Sequence, residues 1–136
     1  MADPRAFISF DFDHNHEEKI LFAGQAKHSK TPFNIEDWSS KANLPQNQWE
    51  ELIEDKINNC NMLIVLVGKF MASATGAVKE IKFAQKHNIP IFGVYVGGAN
   101  SSSNLPEGLN RNRTINWEWD AIASAIDQVM KEGKNK

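Results

Sequence analysis

Two short, almost unbroken apolar runs constrain this chain more than any other feature: Met62–Val67 (MLIVLV) and residues 89–96 (IPIFGVYV). A strand apolar at consecutive positions has no polar face to give to water. It must be covered on both sides, as strands of a parallel sheet are. Neither run approaches the roughly 20 residues that a membrane-spanning helix needs. Between them, residues 75–87 carry Val78, Ile81, Phe83 and Ala84 at helical spacing, and Pro90 bars any extension of that helix.

The same alternation continues in both directions. Residues 6–12 (AFISFDF) form a β-rich run, residues 17–30 have helical spacing, and residues 33–38 read as a weaker strand. Residues 48–60 predict a helix with Trp49, Leu52, Ile53, Lys56 and Ile57 on one side, Asn47 as its N-cap, and Glu50 and Glu51 in its first turn. Residues 97–109 are a polar loop, residues 114–117 a short fifth strand, and residues 120–131 a last helix with Ile122, Ala125, Ile126 and Val129 inward. Five strand–helix alternations predict an α/β fold: a flavodoxin-like, doubly wound sheet of five parallel strands with helices on both faces.

A length of 136 residues sets this as one domain, with a core over about 5–131 and a frayed C-terminal tail. The chain carries 15 Lys+Arg against 17 Asp+Glu, a net charge of -2. That near-neutral balance gives no electrostatic basis for binding nucleic acid or a membrane surface. One Cys cannot form an internal disulfide, and no signal-peptide pattern opens the chain, so a cytoplasmic location is expected.

In such a sheet, ligands sit beyond the carboxyl ends of the strands, near the point where strand order reverses. The segments to search are therefore residues 11–16, 37–45, 68–76 and 97–104. A phospho-receiver is excluded because the third strand runs into Gly68-Lys69, with no acceptor Asp. A flavin mononucleotide site would want a Ser/Thr/Gly-rich loop after the first strand, but Asp11-Phe12-Asp13-His14 stands there and would repel phosphate. Asp11, Asp13, His14 and His16 have the chemistry of metal ligands, yet no second cluster completes a shell, and a polar turn accounts for them. No metal is expected. Cys60 has no His suggested near it and reads as structural. Ser73-Ala74-Thr75-Gly76 suits an anion at a helix N-terminus, and equally suits the start of any helix.

Two residues stand out. With Thr75 as N-cap, the capping-box position falls on Val78, so capping does not explain Glu80. Glu80 can face the strand-end cleft; by spacing alone, a solvated Glu interacting with the helix dipole is the simpler reading. Trp38, after Asp37 at the end of the second strand, can stack on a flat ring or close the core as an aromatic lid.

Taken in order, these residues resemble a known family. Ala6-Phe7-Ile8-Ser9-Phe10 with Asp11 and Asp13, then Asp37-Trp38, then residues 62–68 with Ala77-Val78-Lys79-Glu80-Ile81, are similar to the Toll/interleukin-receptor (TIR) domain. The similarity is closer to its compact bacterial branch, which includes the TIR proteins of Thoeris-type antiphage systems, and it covers about residues 5–131. The resemblance implies cleavage of the nicotinamide–ribose bond of NAD. NAD is then the substrate, and no cofactor is implied. It maps the catalytic glutamate to Glu80, and the walls of the nucleotide pocket to Phe10 and Asp11 and to the loop after Asp37-Trp38; Ser73 and Thr75, at the helix start that suits an anion, join Phe10, Asp11, Asp37 and Trp38 in the expected substrate-binding set. The product would be ADP-ribose or a cyclic form of it, a signal for a separate effector. Self-association through TIR surfaces is also implied. Two departures stand against the family pattern: residues 72–76 before the glutamate lack an aromatic, and the loop at 39–45 is short. The alternatives are a non-catalytic TIR adaptor acting by self-association and a nucleoside deoxyribosyltransferase-like enzyme. The latter expects a Tyr near the sugar, and Tyr95 lies inside an apolar run.

Overall fold

The computed structural model describes residues 5–10, 34–36, 46–69 and 75–132. Its strands are β1 (Arg5–Ser9), β2 (Asn34–Glu36), β3 (Met62–Val67), β4 (Ile91–Tyr95) and β5 (Thr114–Ile115), and its helices are α1 (Gln46–Asn58), α2 (Thr75–Lys86) and α3 (Trp119–Glu132). The sheet has the order β2-β1-β3-β4-β5, and every pairing is parallel. The parallel α/β architecture is the expected one. The helical segment expected over residues 17–30 lies outside the described residues.

Strand parity divides the core in two, because successive side chains leave a strand on opposite faces. Ala6, Ile8, Phe10, Met62, Ile64, Leu66, Phe92, Val94 and Val96 pack with Ile122, Ile126 and Val129 of α3. Phe7, Leu63, Val65, Val67 and Tyr95 pack on the other side with Ile53 and Ile57 of α1 and Ala77, Ile81 and Ala84 of α2. All six residues of β3 are buried, so helices do cover both faces. Cys60 is buried in the second of these clusters as a free thiol.

Several boundaries differ from the sequence expectation. Helix α1 begins at Gln46, so Asn47 lies within the first turn instead of capping it, and Glu50 and Glu51 fall beyond that turn. First-turn N–H groups have no intrahelical acceptor in any case, so sequence pattern locates a helix start poorly. Strand β5 stops at Ile115, because Glu118 N–H donates to the Asn116 carbonyl (2.8 Å) and the chain turns into α3. Strand β4 is limited to Ile91–Tyr95.

The end of α2 follows directly from its residues. Asn88 takes the left-handed conformation (φ 57°). Ile89 N–H donates to the Ala84 carbonyl (2.8 Å), and Asn88 N–H to that of Gln85 (3.3 Å). This pair of bonds is the Schellman motif, here with Asn at the position glycine usually takes. It turns the chain sharply into Pro90 and β4, and so fixes where α2 lies on the sheet.

Candidate active site at the carboxyl end of β1

The chain leaves β1 for β2 on one side and returns to β3 on the other, so strand order reverses at the carboxyl end of β1. That reversal opens the crevice in which doubly wound sheets bind ligands. The last residue of β1 is Ser9, aligned with Val65 of β3. By parity it sits on the α1–α2 side of the sheet.

Across from it on α2 is Glu80. Ala77, Ile81 and Ala84 form the buried stripe of this helix, and Glu80 belongs to the same stripe at 1% exposure. The solvated reading of Glu80 is therefore corrected. Its neighbours in sequence share one helical face with the sheet, and that face carries Glu80 inward. A buried carboxylate is costly unless hydrogen-bonded. The Ser9 hydroxyl, itself 0% exposed, donates to Glu80 Oε1 at 2.8 Å. Lys79, the preceding residue, points the other way, across the outer surface to Glu50 on α1 (2.6 Å, both side chains partly exposed).

A loop braces this turn of α2 from outside. Gly108 has φ 95°, and a Cβ there would stand 2.7 Å from Ile81 Cγ2 and 2.9 Å from the Gln85 amide. Only glycine fits both the backbone conformation and the contact. The sheet below and this loop beside it leave the helix turn bearing Glu80 little room to rotate.

The other sequence candidates are placed as follows. Phe10 is 4% exposed and packs in the α3-side cluster, on the face of the sheet opposite Ser9 and Glu80. Thr75 is the first residue of α2, so the cap position falls outside the described residues. Asp11, Asp37, Trp38 and Ser73 lie outside the described residues, as do Asp13, His14 and His16. Tyr95 ends β4 and is buried on the α1–α2 side. Ser9 was not singled out by sequence reasoning. Its signal was a lone hydroxyl at an inward position of an otherwise apolar strand. Among the described residues, no group of three or more His, Cys, Asp or Glu could hold a metal, and no helix is long and apolar enough to cross a membrane.

The fold is shared with solved domains at low identity. A prokaryotic SEFIR domain aligns with a TM-score of 0.58 at 14% identity, over 95% of this chain and 97% of that one. The SEFIR domain of IL-17 receptor B aligns with a TM-score of 0.59 at 13% identity, over 95% and 96%. The TIR domains of the activated Roq1 resistosome align with a TM-score of 0.51 at 15% identity, over 75% of this chain and 61% of that one. No curated protein matches the sequence. Residues 7–101 match the family described as "Thoeris protein ThsB, TIR-like domain". That match spans most of the sheet, helix α1 and helix α2 with Glu80, and by it the chain belongs to the Thoeris ThsB TIR-like family.

Proposed function

We propose that this protein is an NAD-cleaving TIR enzyme of antiphage defence, with Glu80 as its catalytic carboxylate. The product is an ADP-ribose-type molecule, in its cyclic form a diffusible signal for a separate effector. The observation that carries the reading is the burial of Glu80 at the strand-order reversal, with a hydroxyl donor on Oε1. A fold optimised for stability alone has no use for a carboxylate in an apolar helix–sheet seam. Membership of the family supports the defence context.

The chemistry suits one carboxylate. When the bond between the ribose C1′ and the nicotinamide nitrogen breaks, its electron pair goes to nitrogen, and nicotinamide leaves as a neutral molecule. No general acid is needed. The ribose gains oxocarbenium character, and a nearby carboxylate stabilises that charge and accepts hydrogen bonds from the ribose hydroxyls. Water or another atom of the same molecule then takes C1′. In this reading Asp11, Asp37, Trp38, Ser73 and Thr75 serve in substrate binding, while the Phe10 side chain packs in the core on the far face of the sheet; the enzyme works in the cytoplasm and self-associates.

The test is nicotinamide release from NAD by purified protein, resting and in an enforced assembly, beside Glu80→Gln. Glutamine keeps the shape and removes the charge, so a loss of at least 100-fold is expected. Release that persists in the variant removes Glu80 from the mechanism. A second reading, a non-catalytic adaptor, draws on the likeness to a receptor SEFIR domain. Absence of release from the assembled wild-type protein would select it.

A further inference from the structure

We propose that Ser9 is the positioning residue for Glu80, the group that sets the direction in which the carboxylate faces the sugar. The inference rests on the reading of Glu80 as catalytic. Three observations carry it.

The first is parity. On the α1–α2 side of β1 and β3 the inward residues are Phe7, Leu63, Val65, Val67 and Ser9. Packing asks for an apolar residue at the last of these positions, as it does at the other four. A hydroxyl there gains nothing for the core unless it is bonded.

The second is the bond itself. It is 2.8 Å long, joins a strand to a helix 71 residues away in sequence, and has both ends buried. Ser9 Oγ is the donor and Glu80 Oε1 the acceptor. Serine has one heavy-atom rotor and sits on a sheet strand, whereas glutamate has three. The short, anchored side chain therefore orients the long one, and the bond at Oε1 restrains where that oxygen stands.

The third is the brace on the helix. Gly108 against Ile81 and Gln85 limits rotation of α2 at the turn that carries Glu80. With the backbone held, the carboxylate's remaining freedom is in its own torsions, and the bond from Ser9 restricts that freedom. A misplacement of about 1 Å costs on the order of 100-fold in rate.

The experiment compares wild type, Ser9→Ala and Ser9→Thr in nicotinamide release from NAD, with kcat and KM measured separately. Thermal unfolding of the same variants is followed alone and combined with Glu80→Met. Ser9→Ala should lower kcat about 10- to 100-fold with KM within about twofold of wild type. Ser9→Thr, which keeps the hydroxyl and suits a strand, should recover most of kcat. The drop in Tm from Ser9→Ala should shrink in the Glu80→Met background, because the acceptor is gone. Wild-type kcat in a folded Ser9→Ala protein overturns the proposal, and so does a loss confined to KM. Equal loss of kcat and Tm in Ser9→Ala and Ser9→Thr reduces Ser9 to packing and also overturns it. An unchanged Tm effect in the Glu80→Met background denies the bond itself, whatever the activity. If assembled wild type releases no nicotinamide, the reading of Glu80 falls, and the positioning role falls with it.

Discussion

Helix α2 presents two faces that treat charge in opposite ways. On its outer side, Lys79 reaches Glu50, and Lys86 and His87 both reach Glu54 (2.8 and 2.6 Å), in a seam whose carboxylate at Glu54 is 26% exposed. On its inner side, Glu80 is 1% exposed and is bonded to a neutral hydroxyl. The outer seam has three cationic or titratable partners for two carboxylates, where water would have solvated those carboxylates well. The inner position has a carboxylate packed among apolar side chains of the sheet and α2. The outer arrangement is the ordinary one for a helix pair at a surface, and such pairs contribute little each. The inner arrangement runs against stability, which supports the catalytic role proposed for Glu80.

That contrast can be tested at both ends. The largest effect on the fold is expected from Ile81→Ala, beside Glu80 on the inner face. Ile81 is fully buried and meets Gly108, so truncation should cost about 2–5 kcal/mol by urea denaturation. A cost below about 1 kcal/mol would mean that the inner face is loosely packed and cannot hold Glu80 in place.

A smaller effect is expected when the inner polar pair is removed whole. Ser9→Ala alone takes the hydroxyl donor away from a buried carboxylate and should cost about 1–3 kcal/mol. The double variant Ser9→Ala with Glu80→Met should lie within about 1 kcal/mol of wild type, or be more stable, since both partners become apolar. If the double variant is as unstable as the two single losses added together, the pair is structural and the contrast between the faces disappears.

The smallest effect belongs to the outer seam. Hydrogen bonds from Lys86 and then His87 hold the Glu54 carboxyl below its ordinary range. A carboxylate lowered on folding adds stability above its unfolded value and loses it as pH falls through the folded one. Glu54→Gln should therefore lower Tm slightly at neutral pH, with the difference shrinking in the acid range and in high salt. Glu132 is lowered in the same way, by Arg113 first and then Gln128, and ties the end of α3 to Arg113 in the turn before β5. A Tm difference at Glu54 that is large and indifferent to salt would show that the seam is not a solvated surface.

Much of the fold was legible because its signals are local and repeated. The six apolar residues of β3, the stop at Pro90, and Ile81 and Ala84 on the inward side of α2 each read directly from spacing, since burial on both faces or on one helical side dictates residue type; Val78 and Phe83, read with them, are only partly buried. Boundaries were less legible: Asn47 looked like a cap but lies inside α1, because a first turn tolerates many residues. The site was legible only in part. Spacing put Glu80 on a helix and favoured water as its surroundings. The resemblance singled the residue out, but its burial was decided by how α2 rotates onto the sheet. Ser9 was one hydroxyl in an apolar run until the register of β1 against β3 placed it on the α2 side. Sequence by itself determined the alternation and the parity of each strand, which are consequences of periodic burial. Only the tertiary structure decided which inward polar residues meet, because a strand and a helix 71 positions apart share no local pattern and come together through packing alone.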